Sequence, residues 1–474
     1  MKKTQKIQKR IALHGGAYTM AVTAVVLAIL VAGNVLVSAL PSNLTKFDIS
    51  SSKLYSVTSN TKVVVNGLDQ DVTIYWIVQA GKEDKVLDNL LDNYKNLSDH
   101  IQVVKKNPDV YPSFAKQYTD ETVQNNSLVV ECGDRNKYIS YNDIYVQESN
   151  MYSYNYNVSF DGEGAITSAI DYVTDEEQPQ MYVLEGHGEA DLPETFKDQL
   201  NKENIETHSF SLLNEDQIPE DADFVMIYAP SSDISEEEEK ILADYASNGG
   251  KLLVMAGPAQ SGTLTNLYAL LDDYGVTADD GIVVEGDREH YAFQSPFVLL
   301  PNIESDKMTD SLIDANYFVI MPLAQGMKVE ESSTKGTVTP ILTTSDSSFS
   351  KADGYNLTTY EHEDQDTDGP YAVGLSISTD GGGQIIWFSS STFLEDMYNA
   401  YSSGANDDLA MNAVSSLVGE REAMAIRSKS LNYNYLTISD STASLLKVLM
   451  IGVFPLVYLA AGIYIVMRRR RLQR

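Results

Sequence analysis

Two long apolar runs, one near each end of the chain, place the strongest constraint on what this sequence can fold into. Residues 17–40 (AYTMAVTAVVLAILVAGNVLVSAL) contain no charged side chain, and residues 448–467 (VLMIGVFPLVYLAAGIYIVM) form a second such run. As a helix that rises about 1.5 Å per residue, the first run is about 36 Å long, which suffices to cross a bilayer with some tilt. The sequence therefore predicts one transmembrane helix at each end, over residues 17–40 and 445–467.

Basic side chains flank both runs on their outer sides. Five precede the first run and five follow the second: Lys2, Lys3, Lys6, Lys9, Arg10, Arg468, Arg469, Arg470, Arg471 and Arg474. Because Lys and Arg beside a span favour the cytoplasmic side, both basic tails, residues 1–16 and 468–474, are expected in the cytoplasm. We therefore expect a two-pass protein of the cell membrane whose residues between the spans are extracytoplasmic. A cleavable signal peptide ending near Val37-Ser38-Ala39 is the alternative for the first run, which is longer than an ordinary signal core.

The acidic residues are confined to the region between the two runs. All 67 lie there, and the chain as a whole has a formal net charge of −33. Such a surface repels nucleic acid and anionic headgroups, so no nucleic-acid partner is expected. Cys132 is the only cysteine of the chain, which excludes an internal disulfide and a cysteine-based zinc cluster.

Residues 41–160 are expected to form a small α/β unit. Residues 63–78 (VVVNGLDQDVTIYWIV) are rich in β-branched and aromatic side chains, which predicts two strands around a turn. An amphipathic helix should follow, because apolar side chains recur there at helical spacing: Val86, Leu87, Leu90, Leu91, Tyr94 and Leu97.

Residues 161–442 alternate between apolar strands and amphipathic helices. The pattern predicts strands at 181–184, 207–211, 224–228 and 251–255, and helices at 164–173, 194–204 and 235–247. This alternation is typical of a parallel sheet with helices on its faces. Ser235 and Glu238 have the spacing of a capping box, and Asp380-Gly381 predicts a hairpin turn.

The loop Gly186-His187-Gly188-Glu189 follows the first of these strands. Ligands of open α/β sheets bind at the carboxyl ends of strands, where His187 and Glu189 could act as base and acid. The chain has no H-E-x-x-H, G-x-S-x-G or P-loop motif, so the partners for catalysis are missing. A structural turn is favoured, and a catalytic centre and a non-catalytic binding site stay open as alternatives. The binding site would comprise Gly186, His187, Gly188, Glu189, Ser231 and Ser232.

Residues 364–369 (DQDTDG) match the first half of a calcium-binding loop. Asp364, Asp366 and Asp368 could supply hard oxygen ligands to Ca²⁺. The twelfth position of such a loop holds Leu375 instead of a bidentate glutamate. An acidic loop without metal is therefore the favoured interpretation, and calcium is the only cofactor that the sequence suggests.

Several segments, taken in order, resemble the GldG-like family of auxiliary ABC-transporter components, which is named for its link with bacterial gliding motility. The segments that carry the resemblance are LYSVTSNTKVVVNGLDQDVTIYWI, YVLEGHGEADL, SEEEEKILADYASNGGKLLVMAGP, GGGQIIWFSSSTFLEDM and GANDDLAMNAVSSLVGE. The resemblance implies a short helix and a strand after the first anchor, and a class I glutamine-amidotransferase-like fold for residues 161–442. It also implies an extracytoplasmic accessory subunit that works with a separate ABC ATPase and an integral membrane permease.

The resemblance also bears on catalysis. In amidotransferase-like enzymes a cysteine follows a central strand, whereas the comparable loop here reads Ala229-Pro230-Ser231-Ser232. The nucleophile is absent, so the resemblance implies a non-enzymatic subunit that binds substrate or acts as a scaffold. The alternative is a cell-surface hydrolase or glycan-binding protein that uses the Gly-His-Gly-Glu loop.

Overall fold

The computed structural model describes residues 22–33, 35, 56–149, 156–175, 177–330, 335–419, 429–430 and 447–472. The described residues belong to two compact units, one of which comprises Val57–Ile144 and Asp161–Ser428. The strands of the two units are β1 Val72–Ile77, β2 Ile101–Lys106, β3 Ser127–Cys132, β4 Arg135–Ile139, β5 Tyr145–Ser149, β6 Tyr156–Phe160, β7 Gln180–Leu184, β8 Glu206–Phe210, β9 Phe224–Tyr228, β10 Lys251–Met255, β11 Val276–Ala278, β12 Ile282–Val284, β13 Val298–Leu299, β14 Asn302–Ile303, β15 Met321–Pro322, β16 Met327–Val329, β17 Gly336–Thr343, β18 Phe349–Lys351, β19 Thr367–Asp368, β20 Ala372–Thr379, β21 Gln384–Phe388 and β22 Lys429–Ser430.

The α-helices of the larger unit lie between these strands. They are Ser59–Asn66, Lys85–Leu97, Tyr141–Ile144, Gly162–Thr174, Glu194–Lys202, Glu236–Ser247, Thr265–Ala269, Asp310–Asp314, Asp396–Tyr401 and Ala405–Val418.

The smaller unit contains the apolar helices. A π-helical segment, Val448–Val453, continues into the α-helix Phe454–Leu472. Their stretch Val448–Ile465 is long and apolar enough to cross a membrane, and helix Val22–Gly33 is apolar but shorter. Residues 17–21, 34 and 36–40 of the predicted first span lie outside the described residues. The same unit holds an antiparallel sheet in which β6 pairs with β5 and β22.

A four-stranded sheet with the order β2-β1-β3-β4 forms the N-terminal part of the larger unit. The prediction of a strand at the start of residues 63–78 is wrong, because Ser59–Asn66 is a helix; only the strand that follows, β1, is confirmed. Thr58 caps this helix, and Thr61 and Val65, four residues apart, are both buried. Tertiary burial of one helical face therefore overrides the β propensity of the valines.

A ten-stranded mixed sheet forms the rest of the larger unit. Its main path runs β11-β16-β20-β21-β10-β9-β7-β8; β17 also pairs with β20, and β14 pairs with β17. The five strands from β8 to β21 are mutually parallel, as predicted for this region, whereas β20 is antiparallel to β21. The predicted hairpin turn at Asp380-Gly381 joins β20 to β21 and is confirmed.

Successive residues of the parallel strands enter two different hydrophobic cores. In β9, Met226 lies in the core covered by helices Glu194–Lys202 and Ala405–Val418, whereas Val225 and Ile227 lie in the core covered by helix Glu236–Ser247. This follows from the two-residue period of a strand. Burial on both faces explains why β9, whose five residues are all buried, reads as an uninterrupted apolar run.

The small and large sheets lie in one compact unit. Helix Gly162–Thr174 packs against β3 and β4 of the small sheet. The boundary after residue 160 between an N-terminal unit and a larger domain therefore stays a prediction.

Candidate functional site

The Gly-His-Gly-Glu loop begins where β7 ends, at the carboxyl edge of the parallel strands. Gly186 and Gly188 have φ angles of 128° and 72°, which side chains with a Cβ rarely adopt. A Cβ on Gly188 would lie 2.2 Å from the Ser231 Oγ atom. The two glycines therefore let the loop turn sharply against the segment that follows β9.

His187 is enclosed by two carboxylates. Its side chain is only 5% exposed, and Nδ1 lies 3.0 Å from Oε1 of Glu189. Its Nε2 atom lies 3.1 Å from Oε1 and 3.3 Å from Oε2 of Glu238. Both ring nitrogens can donate only when the imidazole is doubly protonated. This arrangement, here termed the His187 clamp, is therefore an imidazolium between Glu189 and Glu238.

Both carboxylates of the clamp are themselves fixed by hydrogen bonds. The backbone N–H groups of Gly186 and His187 donate to Oε2 of Glu189 over 3.0 and 2.8 Å. Glu238 completes the predicted capping box, since its Oε2 accepts from the backbone N–H and the hydroxyl of Ser235, each at 2.8 Å. One glutamate thus caps helix Glu236–Ser247 and anchors the loop after β7.

Charge pairing shifts the ionisation of all three groups. The hydrogen bond to Glu189 contributes most to raising the pKa of His187 above 6.5, against the opposing effect of burial. Burial works against ionisation of Glu189, but hydrogen bonds from His187 and the backbone outweigh it and lower its pKa. The pKa of Glu238 is also lowered, because its bonds from Ser235 and the charge of His187 outweigh burial.

Ser231 and Ser232 meet the clamp through the backbone of His187. The backbone N–H groups of both serines donate to the His187 carbonyl oxygen at 3.0 Å. Their hydroxyls donate to the same oxygen over 3.3 and 2.9 Å. The structure thus brings all six predicted site residues together, but neither hydroxyl faces the imidazole nitrogens that would have to activate it.

The sequence did not reveal that Glu238 belongs to this site. Its spacing from Ser235 indicated a helix cap, which is confirmed. Its second contact, with His187, joins residues that are 51 positions apart in the sequence. No local signal in the sequence predicts a contact over such a separation.

The acidic loop at residues 364–369 is organised around a lysine. The ammonium group of Lys351, which is fully buried, lies 2.8 Å from Oδ2 of Asp366 and 2.5 Å from Oε2 of Glu363. Asp368 instead pairs with His362 at 3.0 Å. Within the described part of the chain, no three His, Cys, Asp or Glu side chains are placed to hold a metal ion. These contacts give the calcium prediction no support.

Comparisons with solved structures find folds that resemble parts of this chain at low identity. The N-terminal domain of mmIFT52 is 15% identical, with a TM-score of 0.38, and the match covers 50% of this chain and 97% of that one. A glutamine amidotransferase from Thermotoga maritima is 7% identical, with a TM-score of 0.30, over 52% of this chain and all 100% of that one. A β-galactosidase from Rahnella sp. R3 is 9% identical, with a TM-score of 0.28, over 54% of this chain and 33% of the enzyme.

Family models match two successive regions of the chain. Residues 51–147 match a domain of unknown function. In a separate comparison with curated proteins, none matches the chain. Residues 178–413, which include the His187 clamp and the large sheet, match the family described as an ABC-type uncharacterized transport system. This region of the chain therefore resembles an auxiliary component of an ABC-type transport system.

Proposed function

We propose that this protein is a non-enzymatic, extracytoplasmic subunit of an ABC-type transport system, which binds substrate or acts as a scaffold for a separate ATPase and a permease. The observation that carries the proposal is the family match over residues 178–413. The finer assignment to the GldG-like branch rests on the ordered segments of the sequence, and any role in gliding motility rests on that branch alone.

The apolar helix near the C-terminus supports a membrane location. Val448–Ile465 can cross a bilayer, and Arg468–Arg471 follow directly. Because basic residues beside a span favour the cytoplasmic side, this helix would leave the chain's C-terminus in the cytoplasm. We propose a second span over residues 17–40, which would place the N-terminus in the cytoplasm and the acidic region outside.

The contacts of the Gly-His-Gly-Glu loop support the non-enzymatic part of the proposal. A general base needs a free nitrogen within reach of the proton that it accepts. Both nitrogens of His187 face carboxylates, and the hydroxyls of Ser231 and Ser232 face a carbonyl oxygen. The loop therefore has the contacts of a structural connection between β7, β9 and helix Glu236–Ser247, and they disfavour the hydrolase alternative.

Affinity purification of the tagged full-length protein from its native membranes, in a mild detergent, tests this function. Mass spectrometry should identify an ABC ATPase and a permease in constant ratio to the tagged chain. A matched variant in which residues 448–467 are replaced by an unrelated apolar span separates specific from general membrane association, since it should lose the permease. Recovery of the tagged chain alone from fully solubilised membranes would contradict the proposal.

A further inference from the structure

A lysine, an asparagine and an aspartate meet where the four-stranded sheet contacts the segment that leads into β8. Lys137 lies in the edge strand β4, Asp171 lies in helix Gly162–Thr174, and Asn204 lies in the turn between helix Glu194–Lys202 and β8. The Nζ atom of Lys137 donates a 2.6 Å hydrogen bond to Oδ1 of Asn204. The Nδ2 atom of Asn204 donates to Oδ2 of Asp171 over 3.1 Å. A side-chain amide thus lies between an amine and a carboxyl group.

The side-chain amide of Asn204 is held in place by further contacts. The residue is 7% exposed, and Nδ2 also donates to the backbone carbonyl oxygen of Ser168 over 2.9 Å. The Ser168 hydroxyl donates to Oδ1 over 3.3 Å. Asn204 has a φ of 56°, which is common just after the end of a helix. Because glycine suits that backbone equally well, the backbone alone does not explain the contacts of this side chain with Lys137 and Asp171.

The amine of Lys137 lies close to the carbon atom of this amide. The C=O bond is about 1.2 Å long, so Nζ lies at most about 3.8 Å from the Cγ atom of Asn204. Reacting atoms in a near-attack arrangement are about 3–3.5 Å apart. Nζ therefore needs only a small movement, from the oxygen of the amide to the face of its carbon.

We propose that Lys137 and Asn204 form an isopeptide bond, with Asp171 as the general base and acid. The neutral Nζ atom attacks Cγ, so that the Nζ–Cγ bond forms and the Cγ–Nδ2 bond breaks. Asp171 accepts one proton from Nζ and passes it to Nδ2, which leaves as ammonia. The Ser168 hydroxyl faces Oδ1, where negative charge develops during the attack. The product is an amide with one hydrogen on Nζ, and the reaction needs no oxidant and no second reactant.

The surroundings of Lys137 favour the reactive form of the amine. Burial lowers the pKa of Lys137, against the opposing charges of Asp171, Asp143 and Glu203. A lower pKa increases the share of neutral amine at a given pH, and the neutral amine is the nucleophile.

The bond would give this chain a covalent cross-link that its cysteine content does not allow. Cys132 is the only cysteine, whereas Lys137 and Asn204 are 67 positions apart. Joining them fastens β4 to the segment before β8 and restricts the unfolded chain, as a disulfide does. The inference does not depend on the proposed function, because the reaction is intramolecular, occurs once per chain and involves no ATPase or permease.

Mass spectrometry of the full-length protein, purified in detergent and digested with trypsin, tests the proposal. Trypsin does not cleave after an acylated lysine, so the cross-link should join residues 136–197 to residues 203–240 in one branched peptide. Its mass should equal the sum of the two segments less one ammonia. Recovery of residues 138–197 and 203–240 only as separate peptides from the wild type would overturn the proposal.

Substitutions of the two reacting residues make the result specific. Lys137→Arg keeps the positive charge, and Asn204→Gly keeps the left-handed backbone; neither variant should give the branched peptide. Lys105→Arg changes an exposed lysine of the same sheet and should leave the cross-link complete. Tryptophan fluorescence shows whether each variant is folded. A branched peptide of unchanged yield in Lys137→Arg or in Asn204→Gly would also overturn the assignment.

Asp171→Asn separates the chemistry from the contact, because both reacting side chains stay in place. The rate at which the branched peptide appears after a pulse of isotope-labelled synthesis should fall at least about tenfold, since a positioned general acid or base contributes at least that much. An unchanged rate would overturn the role of Asp171 in the proposed reaction.

Discussion

Removal of the His187 imidazole should destabilise the large sheet strongly and in a pH-dependent manner. In His187→Ala, the side chains of Glu189 and Glu238, which are 6% and 5% exposed, would face each other without a cation. Removing one partner of a buried ion pair costs about 3–5 kcal/mol. That is a large fraction of the roughly 5–15 kcal/mol by which a folded domain is stable.

The dependence on pH follows from the direction of each shift. The pKa of His187 is raised above 6.5, so its stabilisation is complete below pH 6.5 and is lost as the pH rises through the folded-state value. The pKa values of Glu189 and Glu238 are lowered below 4.5, so their stabilisation is complete above pH 4.5 and is lost at lower pH. The difference in unfolding free energy between wild type and His187→Ala should therefore be largest between pH 4.5 and pH 6.5.

Urea unfolding of the full-length protein in detergent, followed by tryptophan fluorescence, measures this difference. Both tryptophans of the chain are buried, and Trp387 lies in β21 of the large sheet. His208→Ala is the matched control, because it removes a partly exposed imidazole and should cost less than about 1 kcal/mol. The reasoning is refuted if His187→Ala costs less than about 1 kcal/mol at pH 6, or if its cost is the same at pH 6 and pH 10.

Three further substitutions test other parts of the structure. Asp407→Asn should stabilise the protein at pH 8 by up to about 4 kcal/mol but should not stabilise it at pH 4. The reason is that the pKa of Asp407 is raised to about 7, so the stability of the wild type falls as the pH rises towards and through that value. Equal urea midpoints for the two proteins at pH 8 would contradict this. Lys351→Met should cost about 3–5 kcal/mol in the same assay, since it leaves buried Asp366 without its cation, and the added change Asp366→Asn should recover much of that loss. Gly188→Ala should lower the unfolding free energy by at least about 1 kcal/mol more than Gly262→Ala does. Both glycines have positive φ, but of the two only Gly188 lacks room for a Cβ. Equal losses of unfolding free energy would show that the Ser231 side chain moves away at no cost.

The parallel core was predictable from the sequence because its determinants are local. β9 and β10 begin and end at the predicted residues, since each is a short, continuous apolar run bounded by turn residues. Helix Glu236–Ser247 was predictable from its capping box and its acidic first turn.

The sequence prediction failed where burial by distant residues decides the outcome. Residues 63–65 are valines, which favour strands in isolation, yet they lie in a helix whose buried side packs against helices Lys85–Leu97 and Gly162–Thr174. The acidic loop looked like half of a calcium site because the lysine that occupies it, Lys351, precedes it by more than ten residues and pairs with Asp366 only in the fold. Neither partner can be identified from a local window.

His187 and Asp407 show that local sequence patterns do not reveal how a buried ionisable group is accommodated in the fold. Every polar atom of His187, the most conspicuous histidine in the sequence, contacts Glu189, Glu238, Ser231 or Ser232. Its charge therefore serves to hold three elements of the fold together. Asp407 stands in an ordinary helical pattern, where an acidic residue in the first turn is expected to interact favourably with the helix dipole, yet its Oδ1 atom is left unpaired. Because burial raises the pKa of Asp407 to about 7, this carboxyl is about half protonated at pH 7, which reduces the cost of burying it without a cation.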